Sequence, residues 1–289
     1  MGYSCFRAKT IIMNKAARIA FILHWMNFDT AIGAAITSLF IAKIIGAVVP
    51  IIATIALLIA VLAIYNFDHL LDAKKIRRTA SSGRHRFYQQ HFNSLAIYQL
   101  ILLVALLISS WFLPATIAQA GIILAVVTLI YFLLLFIVLP NQFASKEVMI
   151  AAVFASGVLL GPISVNSAQV FSLEILLLWL EVFLLAFVNT LILAWFDYNN
   201  DKIEEQSSLA QIVGYKTVRL LCFIALAVLL AIIIISLAND SFWADQLVVF
   251  MMGMILFVSL VLGTRTKFQD GLRIAGETIF LIPLVRLFL

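Results

Sequence analysis

Charge is what this chain has least of. Among 289 residues, 19 are Lys or Arg and 14 are Asp or Glu, which is 11%. A soluble domain carries about 25% charged residues. A water-facing surface cannot be built from so small a supply, which excludes an ordinary soluble globular domain. Cysteine is scarcer still. Cys5 and Cys222 stand far apart with no CxxC companion, so neither a disulfide framework nor a thiolate metal site is expected. The four histidines, at 24, 69, 85 and 91, have no metal-ligand spacing and give no ground for a zinc centre. The first residues are basic, but they lack the compact apolar core and small-residue cleavage site of a secretory signal. Phe6 also stands where a myristoylation signal needs Ser or Thr.

What fills the chain instead is apolar. Hydrophobic residues make up 64% and mean hydropathy is +1.13. A membrane-spanning helix needs about 20 mostly apolar residues. Nine runs meet that need, at about 28–47, 50–67, 92–112, 115–139, 147–165, 170–196, 216–237, 243–263 and 273–289. The sequence therefore predicts an all-α, polytopic membrane protein of nine transmembrane helices. It reads as one membrane domain over 1–289, with a basic segment over 1–27 and a nine-helix bundle over 28–289. Arg7, Lys9, Lys15 and Arg18 are interleaved with apolar residues, as in an amphipathic helix lying on a membrane surface.

An odd number of crossings puts the N-terminus and the loops after runs 2, 4, 6 and 8 on one face. That face collects 17 of the 19 Lys and Arg residues, leaving Lys43 and Arg286 opposite. Basic loops face the cytoplasm, so the N-terminus and the long loops are predicted to be cytoplasmic, in a membrane of the bacterial inner (plasma) membrane type. Topology alone accounts for the excess of basic residues, and anionic lipid would attract it. The net charge of +5 is therefore no sign of a nucleic-acid partner.

Two segments carry chemistry. The second run ends Asp68-His-Leu-Leu-Asp72-Ala-Lys74, and the sixth ends Asp197-Tyr-Asn-Asn-Asp201-Lys202. Residues four apart share a helical face, with about 6 Å of rise between them. Two carboxylates at a helix C-terminus oppose the macrodipole and each other. A single charge inside a span costs about 3 kcal/mol. A hard cation would relieve both penalties, and Mg²⁺ characteristically pairs one or two carboxylates with substrate phosphates. Lys74, Arg77, Lys146 and Lys202 are candidates for the remaining phosphate charge. The plain alternative stays open for each segment: a solvated helix end paired to neighbouring lysines. Two copies at matched positions in two halves favour the site.

The segment Asp68–Arg77 resembles the first aspartate-rich motif of the UbiA superfamily of intramembrane prenyltransferases. Asp197–Lys202, continuing to Ser208-Leu209-Ala210 and Gly214, resembles the second, and Leu139–Glu147 is similar to the family's helix 4–5 connection. The resemblance implies a nine-helix bundle with its active site beneath the cytoplasmic loops. It implies Mg²⁺ on Asp68, Asp72, Asp197 and Asp201, a prenyl diphosphate held by Lys74, Arg77, Lys146 and Lys202, and a lipophilic, conceivably aromatic, acceptor within membrane lipid. The motifs are shortened, however. Ile64 and Tyr65 replace the leading Asn and Asp of the first, and Ala194 replaces an Asp before the second.

Two rival functions use the same residues: a terpene cyclase on the same scaffold, and a non-catalytic transporter or structural protein with acidic cation sites. Asp29, Glu181, Asn189 and Glu277 fall within predicted spans, where polar groups face the bundle and have partners. Asn189 lies eight residues before Asp197, near the same face, and is a candidate lining residue. Glu181 and Glu277 are expected to pair structurally or with cations. His69 is placed on a different face from the acidic pair, and His24, His85 and His91 at the interface.

Overall fold

The computed structural model describes residues 15–76, 78–134, 146–166, 172–204, 208–238, 243–264 and 269–288. Among these the chain is helical throughout, with no strand. The helices are α1 (Lys15–Trp25), α2 (Phe28–Ile44), α3 (Ile51–Lys75), α4 (Gly83–Gln90), α5 (Phe92–Trp111), α6 (Ala115–Leu133) and α7 (Lys146–Val165). They continue as α8 (Leu173–Glu204), α9 (Leu209–Val213), α10 (Tyr215–Ala238), α11 (Trp243–Leu262), α12 (Gln269–Glu277) and α13 (Leu284–Phe288), with a 3₁₀ turn at Ile279–Leu281 between the last two.

Seven helices, α3, α5, α6, α7, α8, α10 and α11, are long and apolar enough to cross a membrane, and α1 with α2 passes the same test only as a pair, bent by 66°, which is the geometry of a broken span or a re-entrant loop. The bend is built on Asn27, which adopts a left-handed φ of 59°, a conformation that asparagine tolerates. The last crossing is not one helix. It is broken at the 3₁₀ turn just before Pro283, whose ring cannot continue the hydrogen-bond ladder. The protein is thus an integral membrane protein of the all-α class; among the described residues seven helices, or eight with the bent pair, are long and apolar enough to span, and the ninth run, 273–289, falls on the short α12, the 3₁₀ turn and α13.

The helices sort into two halves. In the first, α3 packs against α2 and α5; in the second, α8 packs against α10 and α11; α7 touches both α2 and α8. The core runs along α8, whose Leu185, Val188, Leu191 and Ile192 are fully buried. By contrast α5 and α6 present Ile97, Leu100, Leu107, Ile122 and Ile123 outward, as a lipid-facing surface requires. At 32 residues, α8 is about 48 Å long, well beyond the roughly 30 Å hydrocarbon layer. The predicted span ended at residue 196. The helix continues through the acidic segment to Glu204 and carries it out of the hydrocarbon.

The first and last crossings run side by side. A Cβ on Gly33 would lie 2.7 Å from the Cβ of Phe280, so the two backbones meet there. Lys43 Nζ donates to the Arg286 carbonyl at 2.7 Å, and Arg286 Nε donates to Asp245 at 2.7 Å. The two basic residues assigned to the far face therefore meet at one end of the bundle. His24 and Glu277 meet at the other.

Candidate active site

Both acidic pairs end long helices on one face of the bundle. On α3, Asp68 and Asp72 lie one turn apart and share a cation. Lys146 Nζ donates to Asp68 Oδ1 at 3.1 Å and to Asp72 Oδ2 at 3.3 Å. Each partner is misplaced on its own helix: the aspartates near the negative C-terminal end of α3, the lysine at the positive N-terminal end of α7. Brought together, each offsets the other's unfavourable position.

His69 is turned into this group. Its ring packs edge-on against Tyr88 at 5.1 Å and lies 6.4 Å from Tyr65. Neither ring nitrogen has a hydrogen-bond partner among the described residues, nor do the buried hydroxyls of Tyr88 and Tyr131. The donor atoms of Asp68, His69 and Asp72 lie within 4.8 Å of one another. Helical spacing alone set His69 on another face; its long side chain reaches back because Tyr65 and Tyr88 flank the ring.

On α8, Asp197 Oδ1 accepts from Arg273 Nη2 of α12 at 2.5 Å and from Asn200 Nδ2 at 3.5 Å. Asp201 lies within electrostatic range of Asp197 and also of Lys146 and His85. Asp201 is thus the member of the second pair that feels the cation of the first. Arg84 of α4 lies within the same range of Asp68 and His69. Tyr88, in the loop helix, has its hydroxyl pushed upward in pKa by burial, which keeps it a neutral donor.

The loops are stapled across the two halves. Glu204 Oε1 accepts from Ser81 N at 2.5 Å, Ser81 Oγ at 2.6 Å and Ser82 N at 2.8 Å. Its Oε2 meets His85 Nδ1 at 2.5 Å. Ser82 in turn caps α4 by accepting from His85 N. On the other side, buried Glu147 accepts from Leu209 N at 2.8 Å, fixing the start of α9. The Gln211 amide donates to the Tyr198 carbonyl.

A second polar group lies beside the site. His24 Nδ1 is 2.6 Å from Asp29 Oδ2 and its Nε2 is 3.0 Å from Glu277 Oε2. These three also hold their donor atoms within 4.8 Å, but the imidazole already fills the gap. Tyr65 connects the groups, lying within electrostatic range of Asp68, Glu277 and Asp29. Asn189 is buried, and its Oδ1 would lie 2.7 Å from a Cβ placed on Gly276, next to Glu277.

Of the residues selected from sequence, Asp68, Asp72 and Lys146 are in direct contact, and Asp197 and Asp201 face the same region. Lys74 and Lys202 are exposed, and it is Lys75 that lies in electrostatic range of Asp72. Arg77 lies outside the described residues. Asn189 is buried one element away, beside α12. Arg84, Arg273 and Glu204 were not selected. The only sequence signal for them is position: each lies in or beside a basic loop on the acidic face.

Oxygen donors dominate this site, as a hard cation such as Mg²⁺ prefers. The orphaned buried nitrogens of His69 and the clustered donors of the first pair also fit a metal ion. No family model matches the sequence, and no curated protein matches it. The three-dimensional comparison is different. A UbiA homologue from Aeropyrum pernix K1 superposes with a TM-score of 0.65 at 15% identity, covering 92% of this chain and 99% of that one.

The chain has the UbiA fold.

A UbiA homologue from Archaeoglobus fulgidus bound to DMAPP and Mg²⁺ gives a TM-score of 0.59 at 10% identity, covering 94% of this chain and 98% of the other. A digeranylgeranylglyceryl phosphate synthase gives 0.57 at 14% identity over 90% and 96% of the two chains. Agreement over nearly the whole of each chain, at 10–15% identity, is agreement of fold.

Proposed function

We propose that the protein is an intramembrane prenyltransferase. It would transfer an isoprenyl group from a prenyl diphosphate to a lipophilic acceptor with Mg²⁺, working as a single membrane domain whose N-terminus and site face the cytoplasm. The carrying observation is the convergence of two acidic pairs from the two halves, with Lys146, Arg273 and Arg84 among them. A purely structural helix end needs one counter-ion. This face gathers four carboxylates and three cations around one region.

Asp68, Asp72, Asp197 and Asp201 are the residues that would hold Mg²⁺, which supplies positive charge to the diphosphate as the allylic carbon–oxygen bond breaks. Lys146, Arg84 and Arg273 offer N–H donors to the remaining diphosphate oxygens. The apolar walls of the bundle exclude water from the allylic cation, so that it meets the acceptor first. Glu204 and Glu147 hold the loops that carry these groups. The likeness to a homologue bound to DMAPP and Mg²⁺ supports the same substrate class here.

The test is direct. Protein purified into lipid nanodiscs is given Mg²⁺, prenyl diphosphates of several chain lengths and a membrane lipid extract, and products are read by mass spectrometry. The expected result is diphosphate release together with a prenylated product that requires the extract. A cyclic hydrocarbon or cyclic alcohol made without extract would make it a cyclase. No release from any chain length would end the enzymatic reading.

A further inference from the structure

Lys146 occupies the notch in which the first acidic pair would meet a metal. Its ammonium lies 3.1 Å from Asp68 Oδ1 and 3.3 Å from Asp72 Oδ2, so one charge bridges both carboxylates. A Mg²⁺ ligated by the same oxygens would sit about 2.1 Å from each. A divalent ion and an ammonium cannot share that notch, because like charges a few ångströms apart in a poorly solvated site repel strongly. The shortened motif suits this arrangement. With Ile64 and Tyr65 before it, the first segment keeps two carboxylates, and one ammonium neutralises half their charge.

The lysine is also placed to leave. It sits at the first turn of α7, on a flexible four-carbon stem, and its side chain is a quarter exposed. Aspartates fixed in the body of α3 have no such freedom. Asp201 of the opposite pair lies within electrostatic range of Lys146, so the ammonium is held by the first pair and feels the second.

We propose that Lys146 is an exchangeable counter-ion: it holds Asp68 and Asp72 when no metal is bound and moves onto the diphosphate when metal takes its place. This rests on the prenyl diphosphate reading. Metal alone must expel an ammonium that has nowhere better to go. Metal arriving with diphosphate gives the ammonium a new partner. Binding of the two is therefore cooperative, and by linkage each tightens the other by the same factor. Lys146 carries that coupling.

The experiment reads metal binding, not turnover. Mn²⁺ serves as the probe, with free ion counted by electron paramagnetic resonance in nanodiscs, without any diphosphate. Wild type is compared with Lys146→Met, which removes the charge, Lys146→Gln, which keeps hydrogen bonding, and Lys146→Arg, which keeps the charge. Lys146→Met and Lys146→Gln should bind Mn²⁺ at least about tenfold more tightly than wild type, and Lys146→Arg should match wild type. Adding a thiolo-analogue of geranyl diphosphate should tighten Mn²⁺ binding in wild type and much less in Lys146→Gln. Mn²⁺ affinity that is unchanged or weakened in both uncharged variants overturns the exchange. If geranyl diphosphate is still turned over by wild type in that case, the transferase reading stands without it. Tighter Mn²⁺ binding with no turnover of any prenyl diphosphate keeps the exchange at the acidic pair and removes the transferase reading.

Discussion

Removing the Glu204 side chain should loosen the loop over the site before it loosens the bundle. The carboxylate is 2% exposed and accepts from two backbone N–H groups, one hydroxyl and the His85 ring. In Glu204→Ala these donors face each other with no acceptor. Four buried donors lose their acceptor, each at about 1–3 kcal/mol. Water reaching the loop will recover part of this, so a loss of about 3–5 kcal/mol is expected. Glu204→Gln keeps one oxygen for the Ser81 and Ser82 N–H groups and loses the pairing with His85, for about 1–2 kcal/mol. Hydrogen exchange read peptide by peptide in nanodiscs is the suitable assay, because α5 and α8 provide internal references. Residues 78–90 should exchange faster, and turnover should fall through misplaced Arg84. A double-mutant cycle with His85→Ala should give a coupling of about 1–3 kcal/mol. Unchanged protection over 78–90 in Glu204→Ala, or a coupling near zero, would show that the staple does not order the loop.

Three further outcomes follow from the packing. Asp68→Asn with Asp72→Asn, Asp197→Asn with Asp201→Asn, and all four together should leave similar residual turnover, since groups acting as a unit are not additive; full turnover in either double variant removes that pair from the site. The first double variant should also lose about 1–3 kcal/mol of stability by stranding Lys146, measured as a lower melting temperature than wild type. Gly33→Ala should cost about 1–3 kcal/mol, because its Cβ would lie 2.7 Å from Phe280 Cβ and 3.3 Å from the Phe280 carbonyl carbon; a melting temperature equal to wild type would mean that the seam yields freely. Reporter fusions at Leu289 should show the C-terminus on the face opposite the N-terminus, and a cytoplasmic signal there would mean a crossing has been miscounted.

How much of this was readable depends on what each residue's signal is made of. The crossings were legible because lipid imposes a length and composition on each segment in isolation. Asp68, Asp72, Asp197 and Asp201 were legible because carboxylates at the end of an apolar helix are costly unless they are used. Lys146 was found by its place in a loop, although its bridge to both aspartates was not. Arg273 was invisible as the partner of Asp197, 76 residues away, because only the packing of α12 on α8 brings them together. His85 and His24 looked like interfacial histidines. Their distant carboxylate partners, Glu204 and Glu277, come from α8 and α12, and a lone histidine has no periodicity from which to infer them. The ends of α8 and the last crossing were misjudged for a related reason. Hydropathy marks where a chain leaves lipid, not where a helix stops or breaks.

The seam between the first and last crossings has a consequence for how the molecule is made. A ribosome delivers α1 and α2 to the membrane long before residues 277–286 exist. Until then Gly33 faces no Phe280, His24 has only Asp29, and Lys43 lacks the Arg286 carbonyl. The partners that finish the first crossing are thus synthesised long after it, Arg286 lying 243 residues beyond Lys43. A nascent chain halted before Glu277 lacks the second carboxylate on His24 and the Phe280 backbone against Gly33. Arrival of residues 277–286, rather than insertion of any earlier helix, closes this seam.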